Sequence, residues 1–486
     1  MSIMINELLQ DFDNEGFPNL VVQGLTDDSR KVSPGDLFIA VPGLNTDGRN
    51  YIQEVADRSA ALVLCEPPAP EISVGIPIVE ISDLKSVTGC IASRYYGDPS
   101  SQMLVIAITG TNGKTSCSHF ISESLSNLGR KCGIVGTMGY GTIGHLSGSS
   151  LTTPDAISLQ KYLADLLDDS CQAVSIEASS HGLEQCRLNG TQIDVAVFTN
   201  ITRDHLDYHK SFDDYKKTKQ ILFQWEGLKT AIINIDDDFG VELCDLISGK
   251  VEVLSTSTLS SDADVSSSDV RLDSHGMKFK LVSPWGEGTV RSPLMGRFNI
   301  ANLLSTAALL GSQGYPFLEI VKMLSRIGVV RGRMEVVRGE GCASVLIDYA
   351  HTPDALEKAL LATREHCDGE LWCVFGCGGD RDKGKRQQMG EIASRIADHI
   401  MITDDNPRSE SSIEITKEIA RGVLEGTDTQ IMTDRREAIL KVLAQAKSDD
   451  TVLIAGKGHE EYQEIKGKRV SFSDFNIVEE FISKTR

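Results

Sequence analysis

The run "MLVIAITGTNGKT", residues 103–115, decides the fold. Its first six residues are apolar without a break, the pattern of a strand covered on both faces. Gly110 and Gly113 then interrupt it, followed at once by Lys114 and Thr115. Glycines permit tight positive-φ turns, so neighbouring backbone N–H groups can converge on an anion at the start of the next helix. Lys114 adds a point charge for β/γ-phosphates, and the Thr115 hydroxyl suits Mg2+. Only Thr111 and Asn112 separate the glycines, a shorter spacer than the common phosphate loop has. A glycine-bearing turn with no ligand is the plain alternative. The strand before it and the helical pattern after it favour a nucleotide.

The same alternation continues outward from this point. A helical pattern near 114–129 leads to "KCGIVGT", a second near 156–168 leads to "QAVSIEAS", and "DVAVFTN" follows. A second series begins near 331 with "ASVLIDYA", "ELWCVFGC", "DHIMIT", "TQIMT" and "TVLIAG", separated by patterns such as "DRREAILKVLAQA". Apolar strands alternating with helices predict α/β architecture: a central, doubly wound, mostly parallel sheet carrying the phosphate loop, and a Rossmann-like α/β domain behind it. Residues 1–102, with short strands, turns and a Pro-rich stretch at 66–77, read as a smaller mixed α/β domain. The expected domains are 1–102, 103–330 and 331–486. The Ser- and Asp-rich stretch 255–270 reads as a surface loop or insertion. The run "FNIANLLSTAALLGSQG" reads as a helix ending at Gly314.

Composition narrows the function. The 486 residues include 48 Lys and Arg against 69 Asp and Glu, a formal charge of −21. Such a surface repels nucleic acid and anionic lipid, so neither is an expected partner. Phosphate ligands then require Lys and Arg gathered where the ligand sits. The early acidic residues of "MSIMINELLQDFDNEGF" do not form a signal peptide, and no apolar run is long enough to span a membrane. Eleven scattered cysteines, without paired metal-site spacing, read as reduced core thiols in a cytoplasmic protein.

Further candidates follow the strands. Glu177, in "SIEASSHGLEQCR", falls at the carboxyl end of a strand, where open α/β sheets bind ligands. His205, in "TNITRDHLDYH", falls at the end of the next one. A hard carboxylate and an imidazole beside a phosphate loop could share a divalent cation; a solvated loop with a capping Asp is the alternative. Histidines 181, 205, 209, 351 and 459 all read as loop residues after apolar runs.

Ten motifs occur here in the order found in Mur ligases, the ATP-dependent enzymes that build the peptidoglycan stem peptide. They are "GTNGKT", "EASSHGL", "DHLDYH", "YKKTKQILF", "LMGRFNIANLLSTAAL", "GRMEVV", "DYAHTPDAL", "GCGGDRDKGKR", "DDNPRSE" and "GKGHEEYQ". With "DDSRKVSPGDLFIAVPG" at 27–43, the resemblance covers nearly the whole chain. It implies that ATP phosphorylates the D-glutamate γ-carboxylate of UDP-N-acetylmuramoyl-L-alanyl-D-glutamate, and that an amino acid then attacks the acyl phosphate. Such a protein mainly positions charged reactants and screens them.

The resemblance also implies roles for individual residues. Gly110, Thr111, Asn112, Gly113, Lys114 and Thr115 hold ATP, with Asn302 at adenine and with Arg333 and Asp348 at phosphate and ribose. Lys219, in "YKKTKQILF", matches a lysine carbamylated by CO2, which turns a cation into an anion able to bind a second Mg2+. Its spacing from Leu222 and Phe223 predicts the semi-buried side of a helix. Thr115, Glu177, His205 and Lys219 form the metal set, and Lys114, Glu177, His205 and Lys219 the catalytic set. Ser29 lies near uridine, while Thr152, Thr153, Ser179, Gln185 and Arg187 bind the rest of the UDP-sugar substrate.

The acceptor amino acid is read from "DDNPRSE". Asp405, Asn406, Pro407 and Arg408 resemble the motif of members that add meso-diaminopimelate, whereas lysine-adding members lack the arginine. The logic is electrostatic: diaminopimelate carries a distal carboxylate that lysine does not, and a guanidinium fork matches it. Arg381, Gly456 and Glu460 complete this implied site. A monomer is expected. The alternatives are a lysine-adding or folylpolyglutamate-synthase-like ligase, and an ATP-gated binding module that is not a ligase.

Overall fold

The computed structural model describes residues 2–12, 17–43, 46–148, 151–205 and 208–485. Leu206 and Asp207, inside "DHLDYH", lie outside the described residues. The chain forms two compact units, 1–256 and 257–486.

In the first unit, strand Leu104–Thr109 is buried at every position, as its unbroken apolar run predicts. It pairs in parallel with Ala173–Glu177 on one side and Val195–Phe198 on the other. Cys132–Gly136 continues the parallel sheet beyond the first, and Thr230–Asn234 then Glu252–Ser257 continue it beyond the second. Short antiparallel strands Gly139–Thr142 and His145–Ser147 form one margin. The chain leaves Leu104–Thr109, passes outward to Cys132–Gly136, returns to Ala173–Glu177 and then crosses to Val195–Phe198. That reversal makes the carboxyl end of Leu104–Thr109 the topological switch point, where such sheets bind ligands. The glycine loop begins there.

A separate parallel sheet, Gly24–Thr26, Asp36–Ala40, Leu62–Cys65 and Ile78–Glu80, forms the N-terminal part. Its side chains alternate with the pleat: Leu37, Ile39, Leu62 and Leu64 enter one apolar cluster, while Phe38, Ala40, Val63 and Cys65 enter another.

In the second unit, Glu335–Val337 pairs antiparallel with Ser344–Asp348. The order then runs through Thr451–Ala455, Leu371–Phe375, His399–Ile402 and Asp428–Ile431, all parallel. Helices Pro353–Arg364 and Gly384–Ile396 supply residues to the core on one face, and Arg435–Gln445 and Asp474–Thr485 to the core on the other. This is the doubly wound arrangement expected of the second series. Helix Phe298–Ser312 ends as predicted: Gly314 takes a left-handed φ of +80°, and Tyr315 N donates to Leu310 O at 3.1 Å.

The stretch 255–270 corrects its reading as a surface loop. It holds the end of strand Glu252–Ser257 and most of strand Val265–Asp273, which pairs antiparallel with Gly276–Ser283. Thr256, Ser257, Ala263, Val265 and Ser266 are buried. Pairing uses backbone groups, so small hydroxyl side chains join a sheet wherever the facing surface accepts them, and composition alone hides such a strand. All eleven cysteines are free thiols. Among the described residues no helix is long and apolar enough to cross a membrane.

Candidate functional site

The loop after Leu104–Thr109 is held open by its neighbours' backbone. Gly110 has φ +151° and Gly113 has φ +89°. A side chain at Gly110 would collide with Thr199 Oγ1, so glycine is required twice over, by conformation and by space. Thr111 N donates to Asn200 O at 2.8 Å, and Asn112 N donates to Asn200 Oδ1 at 3.0 Å. Helix Lys114–Asn127 starts directly at Gly113. Lys114 Nζ curls back to donate to Gly110 O at 2.7 Å and Thr111 O at 3.0 Å.

Glu177 reaches this helix start from the end of strand Ala173–Glu177. Its carboxylate accepts from Thr115 Oγ1 at 3.0 Å, from Thr137 N at 2.9 Å and from Thr137 Oγ1 at 3.0 Å. Lys219 comes from helix Phe212–Gln220, capped by Ser211. It is only 1% exposed, deeper than the semi-buried position its spacing predicts. Its amine donates to Gly110 O at 3.0 Å and lies 4.6 Å above the Tyr215 ring. Burial first, and the Lys114 charge second, push this amine well below the usual lysine range. A neutral amine is the form that CO2 can carbamylate.

The sequence candidates beyond Glu177 also gather here. Thr153 Oγ1 donates to Glu177 O at 2.7 Å and contacts Ser179 Oγ at 2.9 Å, while Thr152 Oγ1 contacts Thr137 Oγ1 at 3.0 Å. Arg187 donates to Thr153 O at 2.7 Å and to Gln185 Oε1 at 2.7 Å. Half-buried, it is less strongly basic than usual because burial disfavours its charge. Ser29 belongs to another neighbourhood, a short turn Ser29–Lys31 where its hydroxyl donates to Glu54 Oε2 at 3.4 Å. His205 is not at a strand end: it sits well past Phe198, with φ +54°, its ring 5.0 Å from that of His181. His181 itself lies in helix Ser180–Glu184 rather than a loop, because Ser179 Oγ caps that helix through Gly182 N.

In the second unit, Asn302 is buried in helix Phe298–Ser312 and donates to Asn299 Oδ1 at 2.9 Å. Asp348 ends strand Ser344–Asp348 and accepts from Met334 N and Ala350 N, each at 2.8 Å. Burial pushes its carboxyl above the usual range. The Arg333 guanidinium stacks 4.8 Å over the Tyr349 ring.

The "DDNPR" loop is the other assembled cluster. Arg408 has φ +50°; its N donates to Glu464 O at 3.0 Å and its O accepts from Lys466 N at 2.7 Å. Hairpin Tyr462–Ile465 and Lys468–Ser471 thus backs the loop. Arg408 Nη1 donates to Gly379 O at 2.8 Å. A Cβ on Gly378 would meet Arg408 Nη1 at 2.8 Å and Arg381 Cγ at 3.8 Å, so the two arginines flank that glycine. Asn406 Nδ2 donates to Glu460 Oε2 at 3.0 Å. Gly456, φ +116°, donates its N to Asp348 O at 3.1 Å, and a Cβ there would meet Asp405 Oδ2 at 3.2 Å.

Comparison with known proteins matches these elements to one family along the chain. The Mur ligase family catalytic domain matches residues 21–96, the Mur ligase middle domain 108–310, and the Mur ligase glutamate ligase domain 332–458. The enzyme named "UDP-N-acetylmuramoyl-L-alanyl-D-glutamate--2,6-diaminopimelate ligase" from Coxiella burnetii is 45% identical over 462 residues, covering 94% of each chain. The chain belongs to the Mur ligase family. The Pseudomonas aeruginosa protein of the same name is 44% identical, with 96% of this chain and 97% of its own covered. A solved structure of an enzyme bearing that name superposes with TM-score 0.75 at 37% identity, over 100% of this chain and 99% of its own. This Mur ligase is therefore an ATP-dependent ligase of three-domain α/β architecture.

The donor set of this Mur ligase fits Mg2+ of a particular kind. Among the described residues there is no group of three His, Cys, Asp or Glu side chains that could hold a metal. What it offers are hard oxygens, the Thr115 hydroxyl and the Glu177 carboxylate, at the mouth of a phosphate loop. Mg2+ is commonly bound this way, through one or two protein oxygens completed by substrate phosphates. Four residues of this Mur ligase's clusters escaped sequence reading. Asn200 and Tyr215 close the "TNIT" and "YKKTK" runs onto the loop, Thr137 ties the "KCGIVGT" run to Glu177, and Lys457 lies buried inside "GKGHEEYQ". All sit within quoted motifs, where attention to each polar residue would have found them.

Proposed function

We propose that this enzyme joins meso-diaminopimelate to the D-glutamate γ-carboxylate of UDP-N-acetylmuramoyl-L-alanyl-D-glutamate, a step of peptidoglycan precursor synthesis. The single observation that supports the choice of acceptor is the Arg408 guanidinium, held beside Gly378 and Gly379 by a loop clamped to a hairpin. The shared name of the relatives points the same way.

The chemistry follows from the reactants. A γ-carboxylate oxygen attacks the γ-phosphorus of ATP and ADP leaves, giving an acyl phosphate. A neutral amine of the acceptor then attacks the acyl carbon, its proton is lost, and inorganic phosphate departs as the amide forms. Backbone amides at the helix start, 113–115, and Lys114 bind and orient the triphosphate. Asn302, Arg333 and Asp348 are the proposed contacts to adenine, phosphate and ribose. Thr152, Thr153, Ser179, Gln185 and Arg187 hold the nucleotide sugar, with Ser29 near uridine. Thr115, Glu177, His205 and a carbamate on Lys219 are the proposed Mg2+ ligands, and bound Mg2+ supplies charge neutralisation between the two anionic reactants. Arg408 and Arg381 take the acceptor's distal carboxylate, while Asp405, Asn406, Gly456 and Glu460 surround its amino acid group and Pro407 stiffens the loop. We place the domain boundaries after residues 102 and 330, and the enzyme in the cytoplasm as a monomer.

Phosphate release tests the reading directly. The purified enzyme is given ATP, Mg2+ and the muramyl dipeptide nucleotide, with diaminopimelate, with lysine, or with neither. Release that depends on diaminopimelate is expected. Lysine-dependent release would make it a lysine-adding enzyme, and release indifferent to either acceptor would remove the ligase assignment.

A further inference from the structure

Lys457 is absent from every role assigned above, yet it is the most enclosed charge of the acceptor cluster. It is 0% exposed. Its Nζ donates to Glu460 Oε2 at 3.0 Å and to Asn406 Oδ1 at 3.1 Å, and it lies 3.7 Å from Asp405 Oδ1. The Tyr462 ring lies 5.6 Å below the amine.

These contacts fix the amide of Asn406. Its Oδ1 accepts twice, from Lys457 Nζ and from Glu464 N at 2.9 Å, so its Nδ2 must face the other way. There it meets Glu460 Oε2, the oxygen that Lys457 also holds. Asn406 and Glu460, two of the implied acceptor ligands, therefore take their orientation from one ammonium. Asp405 and Glu460 are both anionic, and diaminopimelate brings two carboxylates of its own. Lys457 is the buried cation set between the Asp405 and Glu460 carboxylates, 3.7 Å from Asp405 Oδ1 and 3.0 Å from Glu460 Oε2.

We propose that Lys457 is a positioning residue for acceptor recognition: its ammonium sets the Asn406 amide and the Glu460 carboxylate that face the incoming amino acid. This rests on the diaminopimelate reading. A lysine here does not touch the acceptor. It decides which atoms of Asn406 and Glu460 are presented to it, which makes acceptor affinity, not nucleotide affinity, its signature.

The test uses the full-length enzyme with Lys457→Met, which keeps length but not charge, and Lys457→Arg, which keeps charge. Lys457→Met should raise KM for diaminopimelate by about tenfold or more, with KM for ATP and for the nucleotide dipeptide within about twofold of the parent. Lys457→Arg should fall between, at about threefold, for diaminopimelate alone. A Lys457→Met enzyme that melts like the parent and keeps its diaminopimelate KM overturns the proposal, as does one whose three KM values rise together. Where Lys457→Met does not fold, Lys457→Arg decides: a rise confined to diaminopimelate supports the role, and unchanged or uniformly raised constants overturn it. A parent enzyme that ignores diaminopimelate fails at an earlier arm, so the two readings are separable.

Discussion

The phosphate loop and the acceptor loop solve the same problem, a backbone forced through a left-handed turn beside a charge, in opposite ways. At 110–115 the unusual torsions fall on Gly110 and Gly113, and the charge is the Lys114 amine, which sits on backbone carbonyls. At 405–408 the unusual torsion falls on Arg408 itself, and the charges form a dense set of side-chain ion pairs. The first loop needs bare backbone so that a ligand can approach it. The second needs one particular side chain delivered at a fixed angle, and accepts about 1–2 kcal/mol of conformational cost for it. On the proposed reading, generic recognition of phosphate falls to peptide groups, and discrimination between amino acids falls to the Arg408 guanidinium.

The contrast breaks most sharply at Gly110. Gly110→Ala should lower turnover by a factor on the order of 1,000, because Cβ collides with Thr199 Oγ1 and shifts the loop amides. ATP turnover and a thermal melt together would check this. Lys219→Ala should lower kcat by about 100-fold or more with little change in KM for ATP, and added small carboxylates should restore part of it. Plain Lys219→Ala with near-parental kcat would remove the carbamate.

Arg408 sharpens the other side. Arg408→Ala and Arg408→Gly should each raise KM for diaminopimelate by about 10- to 100-fold, leaving KM for ATP nearly unchanged. Glycine also relieves the left-handed strain, so Arg408→Gly should melt no lower than Arg408→Ala. If the glycine variant regained diaminopimelate use, backbone rather than guanidinium would be the determinant. The smallest effect concerns pH. Burial first, then Arg333, lowers the His459 imidazole from 6.5 to about 4. The unfolded chain binds the extra proton between those values, so unfolding free energy should fall as pH drops from about 6.5 to about 4. His459→Asn should flatten that part of the profile, as read by urea melts at fixed pH.

Much of this was legible in the chain. Runs such as 103–108 and 451–455 are buried on both faces, so their apolar continuity is itself the structure's signature. The phosphate loop was readable because glycine is the residue that its torsions demand. Arg408 was readable only by resemblance, since nothing local marks a left-handed arginine. Strand Val265–Asp273 was hidden because serines pack well at a sheet surface while looking like linker. Lys457 and the depth of Lys219 were hidden for a related reason. Lysine is usually solvated, and contacts with residues distant in sequence, Gly110 for Lys219 and Asn406 for Lys457, help take these two out of water.

Lys114, resting on the carbonyls of Gly110 and Thr111, has a consequence for discrimination among anions. The cation already has two carbonyl partners within the loop, so any newcomer must displace them. A lone inorganic phosphate exchanges two contacts for a similar number and gains little. A triphosphate spans the whole cradle and repays the exchange through its remaining groups. On the proposed reading the loop is expected to act as a length gauge, favouring a nucleotide's chain of phosphates over the single inorganic phosphate that the reaction releases.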